Sequence, residues 1–172
     1  LPAATVADGG ASFGDALFTS TSAVCVTGLV VHDTATYWSP FGQGVIIMLI
    51  QIGGMGVVTA AASIFIISGQ RIGLKHRSTM QEALAAPKVG GIVRLAGFII
   101  KTTFIIEFVG ALLLATVFCP EFGIGKGLWY SFFHSVSAFC NAGFDLMGEK
   151  GEFSSLTSYS TDCLLYTSPS PR

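Results

Sequence analysis

The chain carries one short pattern twice. Residues 18–29 read FTSTSAVCVTGL and residues 133–144 read FHSVSAFCNAGF, at a constant separation of 115 residues. Each copy is typical of a short helix that ends in a glycine, and each lies beside a long apolar run. Internal repeats of this kind, inside a membrane, surround a common site in many proteins. The repeat therefore predicts that two equivalent half-buried elements line a pathway for an ion.

Composition favours a membrane protein. Hydrophobic residues make up 51% of the chain and charged residues only 11%, whereas soluble domains carry roughly 25% charged residues. The formal net charge is −1, so no basic excess is available to hold nucleic acid. We therefore expect an all-α membrane protein that is in contact with lipid and has no nucleic acid among its partners.

The first long apolar run predicts a spanning helix. Residues 41–68 contain no Asp, Glu, Lys, Arg or His, and these 28 residues exceed the ~20 that cross a bilayer. Ser39 and Pro40 fit an N-cap and a first helical position. The glycines within residues 53–56 lie near the middle of the run, where they favour either the close approach of another backbone or a local kink.

A second apolar run, residues 95–119, predicts another spanning helix that ends at Pro120. It contains two ionisable residues, Lys101 and Glu107. Lys101 lies near the start of the run, where its side chain is expected to reach the membrane interface. Glu107 lies deeper and is a candidate for the ion pathway, although a structural partner inside the protein explains it equally well.

The segment between the two runs is basic. Residues 69–94 carry six Lys, Arg or His side chains against one acid, Glu82, and positive charge in a short connecting loop marks the cytoplasmic side. A capping-box pattern predicts a short interfacial helix over residues 79–86. The other acids then fall on the opposite face, either as solvated loop residues or as groups that attract cations to a mouth. They are Asp8, Asp15, Asp33, Glu121, Asp145, Glu149 and Glu152.

Length limits what each repeated element can do. From Asp15 to Cys25 a helix extends about 16 Å, half a bilayer, so the element can enter the membrane but cannot cross it. Such re-entrant backbone is tolerated where it lines a water-filled cavity, and backbone carbonyls can replace the water around a monovalent cation. Gly28 and Gly143 are the candidates for the positive φ that such a loop needs. Helix-packing motifs with glycine caps are the alternative explanation.

Polar residues precede both glycines. Four serines are expected to pack closely or to donate hydrogen bonds behind the loops, namely Ser20, Ser22, Ser135 and Ser137. His134 is expected at the membrane interface, at the start of the second short helix. Together with a Ser or Cys nucleophile it is also the basis of one rival function, a membrane-embedded hydrolase. The other rival function is a membrane scaffold that transports nothing.

At these positions the chain resembles the membrane subunit of the Trk/Ktr potassium transporters. The likeness extends from about residue 13 to residue 159. It is carried by SAVCVTGLVV at 22–31, DTATYW at 33–38, QIGG at 51–54, RIGL at 71–74, QEA at 81–83 and SAFCNAGFD at 137–145. In that family, units of membrane helix, pore loop with a re-entrant half-helix, and membrane helix occur four times around a potassium pathway, and each loop supplies one filter glycine.

The resemblance implies a function and a site. A multi-pass protein of the plasma membrane, not an enzyme, would take up K⁺ through a filter of backbone carbonyls. The first two filter segments would be Val26, Thr27, Gly28 and Leu29, and Asn141, Ala142, Gly143 and Phe144. Na⁺ is a candidate coupling ion, and no covalently bound cofactor or further metal is expected. A cytosolic nucleotide-binding regulatory subunit would dock on loops such as 69–94, and the full-length protein is expected to be a homodimer.

The resemblance also implies how the chain is divided. Residues 1–68 would be a partial first repeat, 69–94 the cytoplasmic loop and 95–159 a partial second repeat, so the chain would be part of a longer protein. The repeat offset places a further span where the tail lies, yet residues 160–172 include Asp162 and end in Ser-Pro-Ser-Pro-Arg. We therefore expect this tail to be non-native or disordered.

Overall fold

The computed structural model describes residues 2–6, 9–56 and 92–150. In these parts of the chain the regular structure is helical, with one isolated bridge between Thr5 and Trp38, which confirms the all-α prediction for them. The α-helices are α1 (Phe13–Val24), α2 (Thr34–Tyr37), α3 (Pro40–Gly54), α4 (Ile92–Phe122) and α5 (Ile124–Phe139), and 3₁₀ helices cover Pro2–Ala4 and Met147–Lys150.

The chain forms two compact units. One comprises Leu1–Gly54 and Glu107–Arg172, and the other comprises Met55–Ile106. The core of the first unit lies where α3 packs against α1 and α5. Its most deeply buried side chains come from α3, the end of α4, α5 and the segment after α5; they include Ile50, Phe118, Phe133, Phe144 and Leu146. In the second unit the described residues are 55–56 and the first half of α4, where Lys101 is exposed.

Serine hydroxyls cap two helices of the first unit, α1 and α3. Ser12 caps α1 by accepting a hydrogen bond from the Asp15 amide at 3.1 Å. Ser39 accepts one from the amide of Gly42 at 3.2 Å, and α3 begins at Pro40. The predicted N-cap and first helical position of the first apolar run are therefore confirmed, because these groups satisfy amides that have no partner within the helix.

The helix in the first apolar run is shorter than predicted. α3 ends at Gly54, and Gly56 has a φ of +78°, a left-handed conformation that ends a helix. The uninterrupted helix expected over residues 41–68 is therefore wrong within the described part, and residues 57–68 lie outside it. The predicted helix at 79–86 and the tail from 160 also lie outside the described residues.

The second apolar run forms a helix that continues past its proline. α4 includes Pro120 in its last turn and ends at Phe122, so the predicted end at Pro120 is wrong. Gly123, the residue after the helix, terminates it: its φ is +82° and its amide donates to the Cys119 carbonyl at 3.1 Å. A proline in the last turn removes one hydrogen bond but leaves the closing one intact. Within the described residues, Ala96–Phe122 is the one helix long and apolar enough to cross a membrane.

Gly123 also begins the next helix. It is the N-cap of α5, and its carbonyl accepts a hydrogen bond from the Gly127 amide at 2.8 Å. A Cβ at Gly127 would lie 2.6 Å from the Cα of Cys119, so the start of α5 packs directly on the end of α4. The two helices are therefore joined by a single residue in a tight hairpin.

Candidate functional site

The two sequence copies end their helices in the same way. α1 ends before Cys25, which has φ −80° and ψ −2°, and α5 ends before Cys140, which has φ −79° and ψ −5°. The Cys25 amide donates to the Thr21 carbonyl at 2.8 Å, and the Cys140 amide donates to the Val136 carbonyl at 3.0 Å. The repeat found in the sequence is therefore also a repeat of backbone conformation.

The loops that follow also share one conformation. Val26 and Gly28 have φ values of 56° and 71°, and their equivalents Asn141 and Gly143 have values of 54° and 79°. The Thr27 amide donates to the Ser22 carbonyl at 3.0 Å, and the equivalent Ala142 amide donates to the Ser137 carbonyl at 2.8 Å. The glycines adopt the positive φ that was predicted, whereas the positive φ of Val26 and Asn141 was not foreseen.

The two loops lie in contact. A Cβ at Gly28 would be 2.7 Å from the carbonyl oxygen of Ala142 and 2.9 Å from the Cα of Gly143. A side chain at residue 28 would therefore separate the loops. The flanking residues differ in exposure, since Leu29 is 60% exposed and Phe144 only 1% exposed. The structure thus brings together the central residues of the two proposed filter segments.

Serines hold the loops from behind. The hydroxyls of Ser22 and Thr27 lie 2.9 Å apart within the first copy. In the second copy the hydroxyl of Ser137 donates to the Phe144 carbonyl at 2.6 Å. Ser135 instead donates to the main-chain carbonyl of Glu107 on α4. Ser22 and Ser137, which are equivalent in the repeat, therefore stabilise the loops as expected, whereas the expectation is wrong for Ser135 and for Ser20, which donates to the Leu17 carbonyl within α1.

His134 is not at an interface. It is 3% exposed, and its Nδ1 lies 2.7 Å from the Tyr130 carbonyl. Its Nε2 accepts a hydrogen bond from the Leu146 amide at 3.3 Å. The ring is therefore the neutral tautomer with its proton on Nδ1, and it fastens the segment after the second loop to α5. The predicted interfacial location is wrong, and a histidine whose two nitrogens contact backbone groups is not available as a hydrolase base.

Two adjacent glycines at the end of α3 contact the two copies. A Cβ at Gly53 would overlap the carbonyl of Val24, the last residue of α1. A Cβ at Gly54 would overlap the side chain of Cys140, directly after α5. The close-approach explanation for these glycines is therefore confirmed, and one helix end supports both helix–loop elements.

Glu107 is buried beside the same helix end. It is 2% exposed, and both of its carboxylate oxygens accept hydrogen bonds from Nε2 of Gln51, at 2.8 and 3.0 Å. Gln51 was noticed in the sequence only as part of a family motif. Because the two residues are 56 positions apart, no local pattern connects them, and only the folded structure, in which Gln51 on α3 reaches Glu107 on α4, reveals the pair.

Two acidic side chains, Asp33 and Asp145, lie outside the two proposed filter segments. Asp33 caps α2 and packs against Gly148, where a Cβ would overlap its carboxylate. Burial raises the pKa of Asp145, the Met147 amide opposes this, and the nearby charge of Asp33 adds to it. These groups therefore bring two carboxylates close together after the second loop. Among the residues that the structure describes, no group of three or more His, Cys, Asp or Glu side chains is arranged to hold a metal ion.

Another acid joins the start of α1 to the segment after the first loop. Asp15 lies 3.3 Å from Nε2 of His32, whose ring stacks on Tyr37. Hydrogen bonds from Ser12 and His32 lower the pKa of Asp15. Asp15 and Asp145, both predicted on one face, therefore experience opposite environments.

Among the described residues, the helix Ala96–Phe122 has the length and the apolar composition needed to cross a membrane. The chain belongs to the TrkH family of cation transport proteins, whose family model matches residues 4–168. This match includes most of the tail from 160. The family is one of transport proteins rather than of enzymes.

Named relatives agree with the family. The chain is 47% identical over 137 residues to the potassium/sodium uptake protein NtpJ of Enterococcus hirae, covering 80% of this chain and 30% of that protein. It is 49% identical over 135 residues to the Ktr system potassium uptake protein B of Bacillus subtilis, covering 78% and 30% respectively. The Vibrio alginolyticus protein of the same name is 39% identical over 140 residues, covering 81% and 31%. The chain thus spans about 30% of the length of these relatives.

Proposed function

We propose that the full-length protein takes up K⁺ across the plasma membrane and that residues 26–29 and 141–144 form two segments of its selectivity filter. One observation carries this proposal: two loops with matching backbone conformations lie side by side, with Gly28 against Ala142 and Gly143. Relatives named as potassium uptake proteins, at 39–49% identity, support the identity of the ion.

The chemistry of the filter follows from its backbone. A dehydrated K⁺ needs several oxygen ligands, and carbonyl oxygens supply them without a full charge that would hold the ion too tightly. Positive φ at residues 26 and 28, and at 141 and 143, turns the chain away from a regular helix. The carbonyl ends of α1 and α5 precede these loops and carry a partial negative charge. The partial negative charge at these two helix ends favours a cation beside the loops.

The lengths of the helices support the membrane arrangement. α1 has 12 residues and α5 has 16, or about 18 and 24 Å, and both are shorter than a hydrocarbon core of about 30 Å. α4 spans the membrane, and the exposed side chains in its middle are apolar; they include Phe104, Ile105, Phe108, Val109, Leu112 and Leu113. These side chains face lipid, while α1 and α5 enter from one side without crossing.

The names of the relatives support a proposal about partners and coupling. Three relatives carry the name of a Ktr system, which supports further subunits. We assign the basic loop 69–94 to the docking of a cytosolic nucleotide-binding subunit, and we assign homodimer formation to the full-length protein. The relative named for potassium and sodium uptake supports Na⁺ as a coupling ion.

The uptake function is tested with the full-length gene in cells that lack potassium uptake. Growth at low K⁺ and uptake of ⁸⁶Rb⁺ are expected, and a non-transporting scaffold would produce neither. Absence of both in cells that contain the protein in their plasma membrane contradicts the proposal. Proteoliposomes with the purified protein then separate channel-like flux from coupled flux, because only coupled flux depends on a Na⁺ gradient.

A further inference from the structure

A buried pair of side chains joins α3 to α4. Glu107 on α4 is 2% exposed, and Nε2 of Gln51 on α3 donates to both of its carboxylate oxygens, at 2.8 and 3.0 Å. Hydrogen bonds to an ionised acceptor are stronger than those between neutral groups. A buried carboxylate also requires such partners, because burial removes its water. The pair therefore fixes the position of one helix relative to the other at this point.

The same residue is bonded to α5 through its main chain. The hydroxyl of Ser135 donates to the Glu107 carbonyl at 2.6 Å. A Cβ at Gly110, one turn further along α4, would lie 2.5 Å from that hydroxyl, so the glycine gives Ser135 room to reach the backbone. Glu107 thus contacts α3 with its side chain and α5 with its main chain.

Both members of the pair are linked to the end of α5, where the second loop starts. Gly54, one turn after Gln51, packs against Cys140, and Ser135, five residues before Cys140, donates to the Glu107 carbonyl. Asn141, with its positive φ, directly follows Cys140. A change in the Gln51–Glu107 distance would therefore move the point from which the loop starts.

The Gln51 amide is oriented with its N–H groups towards the carboxylate. Oε1 of Gln51 is buried and accepts no hydrogen bond from the residues that the structure describes. An unpaired buried acceptor is unfavourable. Turning the amide over would direct this oxygen at the carboxylate, which is worse because both are acceptors. In this orientation Nε2 donates to Glu107, whereas Oε1 of Gln51 is left without a donor among the described residues.

We propose that Glu107, held by Gln51, is a positioning residue that fixes the second filter segment and thereby sets the preference for K⁺ over Na⁺. It acts through the start of the loop at Cys140 and need not contact the ion. This inference rests on the proposed function of the loops.

The pair can be tested by exchanging its members. Uptake of ⁸⁶Rb⁺ and ²²Na⁺ is measured with the full-length protein in proteoliposomes, for the wild type, Glu107→Gln, Gln51→Glu and the double variant with both changes. Glu107→Gln keeps a hydrogen bond but loses its charge, and we expect the Rb⁺/Na⁺ ratio to fall about tenfold. Gln51→Glu places two carboxylates together, and the ratio should fall at least as far.

The double variant decides whether the pair is responsible. It restores one carboxylate and one amide in exchanged positions, so the ratio should return towards that of the wild type. If Gln51→Glu alone does not fold, the double variant still tests the pair. Lys101→Gln is the control, because it removes a charge from an exposed position on the same helix, and its ratio should not change.

The outcomes separate this inference from the function on which it rests. A wild-type protein that takes up no Rb⁺ contradicts the proposed function itself. A selective wild type with unchanged ratios in both single variants overturns the positioning role. Single variants that lower Rb⁺ and Na⁺ uptake equally also overturn it, because a merely structural role changes the amount of active protein and leaves the ratio constant. A double variant that is no better than the single ones assigns the effect to other contacts.

Discussion

Val26 adopts a conformation that its side chain disfavours. Its φ is 56°, and the left-handed region costs a β-branched residue roughly 1–2 kcal/mol. Two main-chain hydrogen bonds hold the turn, from the Val26 amide to Ala23 at 3.3 Å and from the Thr27 amide to Ser22 at 3.0 Å. Strain of this kind persists where the surroundings determine the backbone, and it concentrates at functional sites. Asn141, at the equivalent position, is a residue that tolerates the same conformation better.

Gly28 tests the contact between the loops. Gly28→Ser adds a Cβ that meets the Ala142 carbonyl, and its φ of +71° disfavours any side chain. In the full-length protein we expect the preference for Rb⁺ over Na⁺ to weaken, as measured by paired isotope uptake. Gly44→Ser is the matched control, because a Cβ at Gly44 meets nothing within 4 Å. Equal preference in both variants would count against the filter assignment.

Asp145 should make stability depend on pH. Burial raises its pKa, so the folded protein disfavours the ionised form, and the resulting loss of stability appears as the pH rises through the range in which the carboxyl ionises. Asp145→Asn copies the neutral form and keeps an oxygen for the Met147 amide, which donates at 3.0 Å. We expect the variant to have a higher Tm than the wild type at pH 7.5, and the difference to disappear below about pH 4.

Asp15 serves as the control, because its pKa is shifted in the opposite direction from that of Asp145. Ser12 and His32 lower its pKa, so the ionised form is favoured in the folded protein and stabilises it above the ordinary pKa of the group. Asp15→Asn is therefore expected to lower the Tm slightly at pH 7.5. Thermal unfolding of both variants in the same detergent checks the pair, and shifts of the same sign would contradict the assigned environments.

Residue type explains which site features could be read from the sequence. Gly28 and Gly143 were predictable because glycine is the residue that most readily adopts positive φ. Val26 was not, because nothing in a valine indicates a left-handed backbone. Glu107 was a candidate through its depth in an apolar run, but its partner Gln51 is distant in sequence. The local conformation was therefore readable only where a residue has a distinctive backbone preference.

At the scale of elements, the end of α3 carries both helix–loop copies. Gly53 contacts the end of α1 and Gly54 contacts the residue after α5. Glycine normally weakens a helix interior by about 0.5–1 kcal/mol relative to alanine. Its presence at two successive positions is explained by the space that the two contacts require.

Replacing glycine by alanine usually stabilises a helix interior, but at the end of α3 we expect this change to destabilise the protein. Gly44→Ala, in open space on the same helix, is expected to stabilise the protein by about 0.5–1 kcal/mol. Gly53→Ala is expected to destabilise it by about 1–3 kcal/mol, because the added methyl group overlaps the Val24 carbonyl and overpacking of this size shifts the backbone. Thermal or denaturant unfolding of the full-length protein measures both. A gain in stability for Gly53→Ala would contradict the contact.

The helix ends were only partly predictable from the sequence. Ser39 and Pro40 begin α3 where their pattern indicates, since capping depends on neighbouring residues. Pro120 lies inside the last turn of α4, because a proline near a helix end removes a single hydrogen bond. α3 ends at Gly54, shortly before the left-handed Gly56, although the apolar run continues to residue 68. The start of a helix at a capping residue was thus readable, whereas hydropathy alone did not report where the helix ends.

At the scale of the whole molecule, the outer face of α4 determines how the protein meets lipid. Phe108 is 63% exposed and follows the buried Glu107 directly, so the two sides of the helix have opposite surroundings. Phe108→Asp would place a charge in lipid near the helix centre, at a cost of about 2.5–3.5 kcal/mol. We expect less full-length protein in carbonate-washed membranes by quantitative immunoblot, whereas Phe108→Leu should leave the amount unchanged. Normal insertion of Phe108→Asp would show that this face is covered by protein.

The single-residue joint at Gly123 has a mechanical consequence. Because the Gly123 amide bonds to the last turn of α4 and its carbonyl accepts from the first turn of α5, no flexible linker separates the two helices. A thinner or thicker bilayer changes the tilt of a spanning helix, and this joint would pass such a tilt straight to α5 and on to residues 141–144. On the proposed filter role of residues 141–144, a change in the lipid composition of the host membrane would therefore alter the preference between ions.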